Sequence, residues 1–97
     1  MLEKIRDIKI KEIENKKKKI YELENNLEEV LDLINDTNRK YRQIIDLMRK
    51  EEDVIAINLL CTLLSPLDKE LRHLEENKTV LIKKIKNEKR ELTMLIL

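Results

Sequence analysis

The sequence predicts an all-α fold: a long coiled-coil-type helix that breaks at Ser65-Pro66, and a second helix that folds back on it as a hairpin. Three observations predict it. The 97 residues include no Gly, no Phe, no Trp and one Pro, so the chain lacks the turn punctuation and bulky filler of a compact globule. Charged residues make up 42 % and hydrophobic residues 41 %, a balance suited to helices that share a narrow apolar seam. The apolar residues recur with a seven-residue period, which is too much patterned apolar surface to leave solvated in a disordered chain.

The first helix is expected over about residues 2–64. Ile13, Ile20, Leu27, Ile34, Tyr41, Met48 and Ile55 follow one another at intervals of seven, with Leu23, Val30 and Ile44 three residues after members of the series. These are the a and d positions of a heptad, the positions that supply knobs to a facing helix. Lys16, Thr37 and Glu51 fall at intervening d positions and make the seam polar at three levels. Polar inserts of this kind weaken a coil while fixing its register.

A break is required before the second helix, because the second apolar series runs in a different frame. Leu60, Leu64, Leu67, Leu71, Leu74, Lys78, Leu81, Ile85, Glu88, Leu92 and Leu95 alternate in spacings of four and three, offset by two residues from the first series. Two such frames cannot make one straight seam on one helix. Ser65-Pro66-Leu67-Asp68 is the expected break, since a proline disfavours helical geometry in the residue before it and withholds a donor from the previous turn. The same residues make a good helix start, with Ser65 as N-cap and Pro66 at the first helical position. Asp53 is a weaker candidate, a cap for a helix starting at Val54, and Asn35 to Asn38 is another. The continuous heptad across both argues against them. A real break at 35–38 would give the alternative, a three-helix antiparallel bundle.

The second helix is expected over about 66–97. Its neighbour on the other side of the break, Val54 to Leu67, carries no charge and is apolar around most of the helix rather than along one stripe. A helix that is apolar on all sides needs cover on all sides, so hairpins are expected to pair into an oligomeric helical bundle with this segment at its centre.

Charge is segregated along this framework. Residues 1–20 hold eight basic and four acidic groups, 21–38 six acidic and none basic, and 78–91 six basic and two acidic. Such blocks select the register of a partner more than they supply affinity. They suggest an antiparallel self-pairing in which the basic block of one chain meets the acidic block of another.

Catalytic chemistry is not predicted. General acid–base or nucleophilic work needs convergent groups of tuned acidity in a pocket, and nothing in the pattern supplies one. Cys61 lies within the apolar segment and reads as a packed structural thiol. His73 follows Glu70 at the spacing used in di-iron bundles, but those sites need a second such motif and further carboxylates, so no metal and no cofactor is expected. A phosphate loop is excluded in a chain without glycine.

Two basic clusters are candidate phosphate contacts: Lys16, Lys17, Lys18 and Lys19, and Lys83, Lys84, Lys86, Lys89 and Arg90. With a net charge of +1 and only Tyr21 and Tyr41 as aromatics, neither global attraction nor base stacking supports them, and nucleic acid is not the expected partner. The C-terminus, Leu92-Thr93-Met94-Leu95-Ile96-Leu97 after a basic cluster, is the one place where the pattern admits membrane contact, but a helix end buried by a partner is the expected reading. Six apolar residues fall far short of a span.

The N-terminal residues show no apolar stretch like that of a signal peptide, and a single cysteine favours a reducing compartment, so a cytoplasmic location is expected. The expected function is a non-enzymatic coiled-coil assembly module that acts by helix–helix binding, in a homo-oligomer or with a helical client. In size and hairpin pattern the chain is similar to the small helical partners used by bacterial secretion systems, which implies a second function, a chaperone or targeting partner for a secreted or membrane-bound client. The Trp-x-Gly turn that marks one such family is absent, because both residue types are absent.

Overall fold

The computed structural model describes residues 2–97, and it is an all-helical hairpin. Helix α1 runs over Leu2–Lys50 and helix α2 over Val54–Ile96. The chain reverses between them at Glu51-Glu52-Asp53.

The reversal is built by local hydrogen bonds. Arg49 and Lys50 occupy the last turn of α1, where cations complement the carbonyl end of the helix dipole. Asp53 then caps α2. Its Oδ1 accepts the Ile55 N–H at 3.0 Å, and its carbonyl accepts the Ile57 N–H at 3.0 Å, the first bond of the helix. The Asp53 N–H donates to Glu51 Oε1 at 3.1 Å, so the two acidic side chains hold the three-residue connection from within.

The hairpin is the predicted one, but the reversal is not at Ser65-Pro66. Helix 1 ends well before residue 64, α2 begins before Pro66, and Pro66 lies inside α2. No break occurs at 35–38, so the three-helix alternative does not form. Coverage explains the choice. A return beginning at residue 66 is long enough to cover only about half of a first helix over residues 2–64 and would leave Ile13, Ile20 and Leu27 bare. A reversal at 51–53 gives helices of 49 and 43 residues, so both apolar series are covered along their lengths. Each covered Leu or Ile contributes roughly 1.5–3 kcal/mol, whereas a proline inside a helix costs about 3 kcal/mol once. Pro66 deprives the Thr62 carbonyl of its usual donor, but both residues are exposed and water can take that place.

Two units make up the chain. In the first, Met1–Glu28 with Thr79–Leu97, the covered side chains are Ile13, Lys16, Ile20, Leu23 and Leu27 on α1, and Leu81, Ile85, Glu88, Leu92 and Leu95 on α2. Ile20 and Ile85 are the most enclosed, at 7 % and 8 % exposure.

In the second unit, Glu29–Lys78, α1 turns inward Val30, Ile34, Thr37, Tyr41, Ile44 and Met48, and α2 turns inward Ala56, Ile57, Leu60, Leu64, Leu67, Leu71, Leu74 and Lys78. Ile34 and Leu74 are buried. Thr37 is the buried polar residue, and its hydroxyl donates to the Leu33 carbonyl at 2.8 Å, one turn back on its own helix. A hydroxyl satisfied in this way can sit among leucines without an unmet bond.

Ile55 departs from the expected series. It falls seven residues after Met48, yet it is 71 % exposed, because the chain reverses between the two and starts a new helical phase.

Candidate helix-binding surface

Three sets of side chains carry what this hairpin can do: an ion-pair cluster in the first unit, an uncovered apolar face in the second, and exposed basic residues.

The cluster is built on the single charged position of each inward stripe in the first unit, Lys16 and Glu88. Lys16 Nζ donates to Glu88 Oε2 at 2.7 Å and also pairs with Glu91. Lys19 Nζ reaches Glu88 Oε1 at 3.0 Å, and Lys89 reaches Glu24 at 3.6 Å on the same pair of helices. Glu88 thus holds a lysine on each oxygen. Hydrogen bonds from Lys16 and then Lys19 hold its carboxyl below the usual 4.5, and bonds to Glu88 and then Glu91 hold the Lys16 ammonium above the usual 10.5. The cluster is a clamp between α1 and α2, and its charges are mutually neutralised.

That arrangement reassigns part of the basic blocks. Lys16 and Lys19 of one candidate phosphate cluster and Lys89 of the other face carboxylates of the same chain, so these three lysines are matched within the hairpin. Lys17, Lys18, Lys83, Lys84, Lys86 and Arg90 are exposed.

The apolar face belongs to the second unit. On α2, Ile55, Leu59, Leu63 and Pro66 follow at helical spacing beside the inward stripe, and all four are exposed. Leu59 is 64 % exposed and Leu63 53 %. On α1, Leu47 stands on the same side at 55 % exposure. Two shallow grooves follow this face: one is lined by Leu47, Glu51, Ala56, Leu59 and Leu60, the other by Lys40, Gln43, Ile44, Leu63, Pro66 and Leu67. Helix α2 is apolar on its inner face and on this flank over the whole charge-free segment. The returning helix covers only the first.

Cys61 does not pack as expected. It is exposed, because it follows the inward Leu60 by one residue and so points away from α1 on the flank opposite Leu59 and Leu63. His73 is exposed on α2. Among the described residues there is no group of three or more His, Cys, Asp or Glu side chains placed to hold a metal ion. No described helix is long and apolar enough to cross a membrane. At the C-terminus Leu92 and Leu95 turn inward, while Met94, Ile96 and Leu97 are exposed.

Comparison with protein-family models, with curated proteins and with solved structures finds no match to this chain. Reading its function therefore rests on the geometry.

Sequence reasoning singled out Val54 to Leu67 as a segment that needs cover beyond the returning helix, but it named neither Leu59 and Leu63 as the exposed flank nor Leu47 on α1 beside them. The signal was present in the spacing of Ile55, Leu59 and Leu63 by fours, a second stripe beside Leu60, Leu64 and Leu67. Glu24 and Glu91 were silent, because a carboxylate on a helix surface has no partner until the return of the chain is placed.

Proposed function

We propose that the chain is a non-enzymatic helix-assembly module of coiled-coil type, whose activity is to bind another helix. The observation that carries this reading is the uncovered flank of Val54 to Leu67: fourteen residues without a charge, with Leu59 and Leu63 more than half exposed beside Leu47. Large apolar side chains gathered on one face of a small chain mark a contact surface, whereas the same residues scattered singly need no explanation. Burying them against a second helix removes this surface from water at roughly 25 cal/mol per Å².

The inward residues from Ile13 to Met48 and from Leu60 to Leu95 act inside the hairpin in this reading. They make the rigid support, and the flank makes the contact. A cytoplasmic setting suits an exposed, unpaired cysteine.

Light scattering after size exclusion tests the proposal, with circular dichroism on the same peak and a dilution series at low and high salt. A helical species larger than one chain that survives dilution and high salt is expected, because apolar association is insensitive to screening. A helical monomer at every concentration would direct the face to a helix of a different protein, the client reading.

A further inference from the structure

The structure assigns the occupant of the apolar face: a second copy of this chain, seated face to face and antiparallel about a twofold axis that passes at Leu59. This rests on the assembly reading above and adds the partner and the register.

A twofold interface must be self-complementary, so that each residue meets its mirror position on the other copy. The α2 stripe has that property. Ile55 and Leu63 lie four residues before and after Leu59, so an antiparallel partner centred there sets Leu59 against Leu59 and Ile55 against Leu63. The rim charges on α1 obey the same axis independently. Lys40 and Glu51 both line the grooves of this face, and their midpoint on α1 falls between Ile45 and Asp46. Counted from Glu52 at the reversal, that midpoint lies six to seven residues back along α1, and Leu59 lies seven residues forward along α2. Both midpoints are therefore at one level of the second unit, and one axis serves both helices.

About that axis, Lys40 of each copy meets Glu51 of the other, at both edges of an uncharged centre. Opposite charges at the rim with an apolar middle is the anatomy of a specific protein interface. A parallel arrangement sets Lys40 against Lys40 and Glu51 against Glu51, and an axis shifted by one turn moves the opposite charges out of register. A second copy is the one partner whose own sequence is certain to carry this pattern.

Cysteine cross-linking of the full chain tests the register. In a Cys61→Ser background, Leu59→Cys is expected to form a covalent dimer within minutes of mild oxidation, and Leu33→Cys, also exposed but remote from the axis, to lag by at least tenfold. Charge reversal supplies a second readout that does not disturb the apolar centre. Lys40→Glu and Glu51→Lys alone are each expected to raise the dimer dissociation constant by about threefold to tenfold, and the double variant to restore it. A dimer by light scattering in which Leu59→Cys cross-links no faster than Leu33→Cys, with no rescue in the double reversal, would overturn this register and leave the assembly reading standing. A wild-type monomer throughout would overturn the second copy as the occupant, and would assign the face to a helix of a different protein.

Discussion

Lys16 of α1 and Glu88 of α2 meet at 2.7 Å, and each is the one charged residue on the inward stripe of its helix in the first unit. The two are equidistant from Glu52, thirty-six residues before and after it. A hairpin reversed at 51–53 brings these polar interruptions to one level, and their charges are opposite. Shifted by one turn, each would lie against a leucine or isoleucine with its charge stranded. The pair is therefore a register mark, the use of buried polar groups that is best attested in coiled coils.

The pair should behave as a coupled unit. Lys16→Ala and Glu88→Ala are each expected to lower the melting temperature, and the double variant to lose less than the two single losses together. A double-mutant cycle on thermal melts measures this coupling. Replacing both by leucine should leave the melting temperature equal to or above wild type, because a continuous apolar stripe matches or exceeds an ion pair that must be stripped of water.

The pH dependence follows from Glu88. Its carboxyl is held below the ordinary value by Lys16 and Lys19, so its contribution is fully present above about pH 4.5 and is lost as pH falls through the lowered value. Lys16 is held above its ordinary 10.5, so its contribution is complete below that and is lost only at higher pH. Melting of wild type and Glu88→Gln between pH 2 and 7 should show two curves apart at pH 6 that converge in acid.

Inner and outer leucines should separate cleanly. Leu74→Ala, at a position 8 % exposed, is expected to destabilise the hairpin by about 2–5 kcal/mol in urea unfolding of the monomeric state. Leu59→Ala, at 64 % exposure, should change that quantity by less than about 0.5 kcal/mol. Association should show the reverse order.

The location of the reversal gives a prediction of opposite signs. Asp53→Ala removes the cap from α2 and should cost about 1 kcal/mol, read by chemical denaturation. Pro66→Ala restores a donor to the Thr62 carbonyl in the middle of α2 and should stabilise by up to about 3 kcal/mol. If residue 66 began a helix, the same change would be neutral or harmful.

Much of this fold is legible in the sequence because a hairpin is written in two short-range signals, the period and the frame of its apolar residues. The series Ile13 to Met48 and Leu60 to Leu95 turn inward at the spacing at which they were read. The reversal was misread because Pro66 is a strong local signal and Asp53 a weak one, while Ile55 extended the first heptad by coincidence of spacing. The decision belongs to coverage of the whole of α1, a long-range quantity that no local propensity contains. The uncovered Val54 to Leu67 segment was legible from its lack of charge, whereas the partners in the ion clamp were hidden for the same reason as the reversal. Lys16 and Glu88 were both visible as flaws in their stripes, but only the position of the return shows that one flaw answers the other.

The most direct test of assembly through the outer face is the solution mass of Leu59→Ser/Leu63→Ser beside wild type, with helicity followed on the same samples. Both substitutions leave the inward stripe untouched, so the helical signal should persist while the larger wild-type species falls to a single chain. A double variant that keeps the wild-type mass would show that the hairpins associate through some other surface, and would refute the assignment of this one.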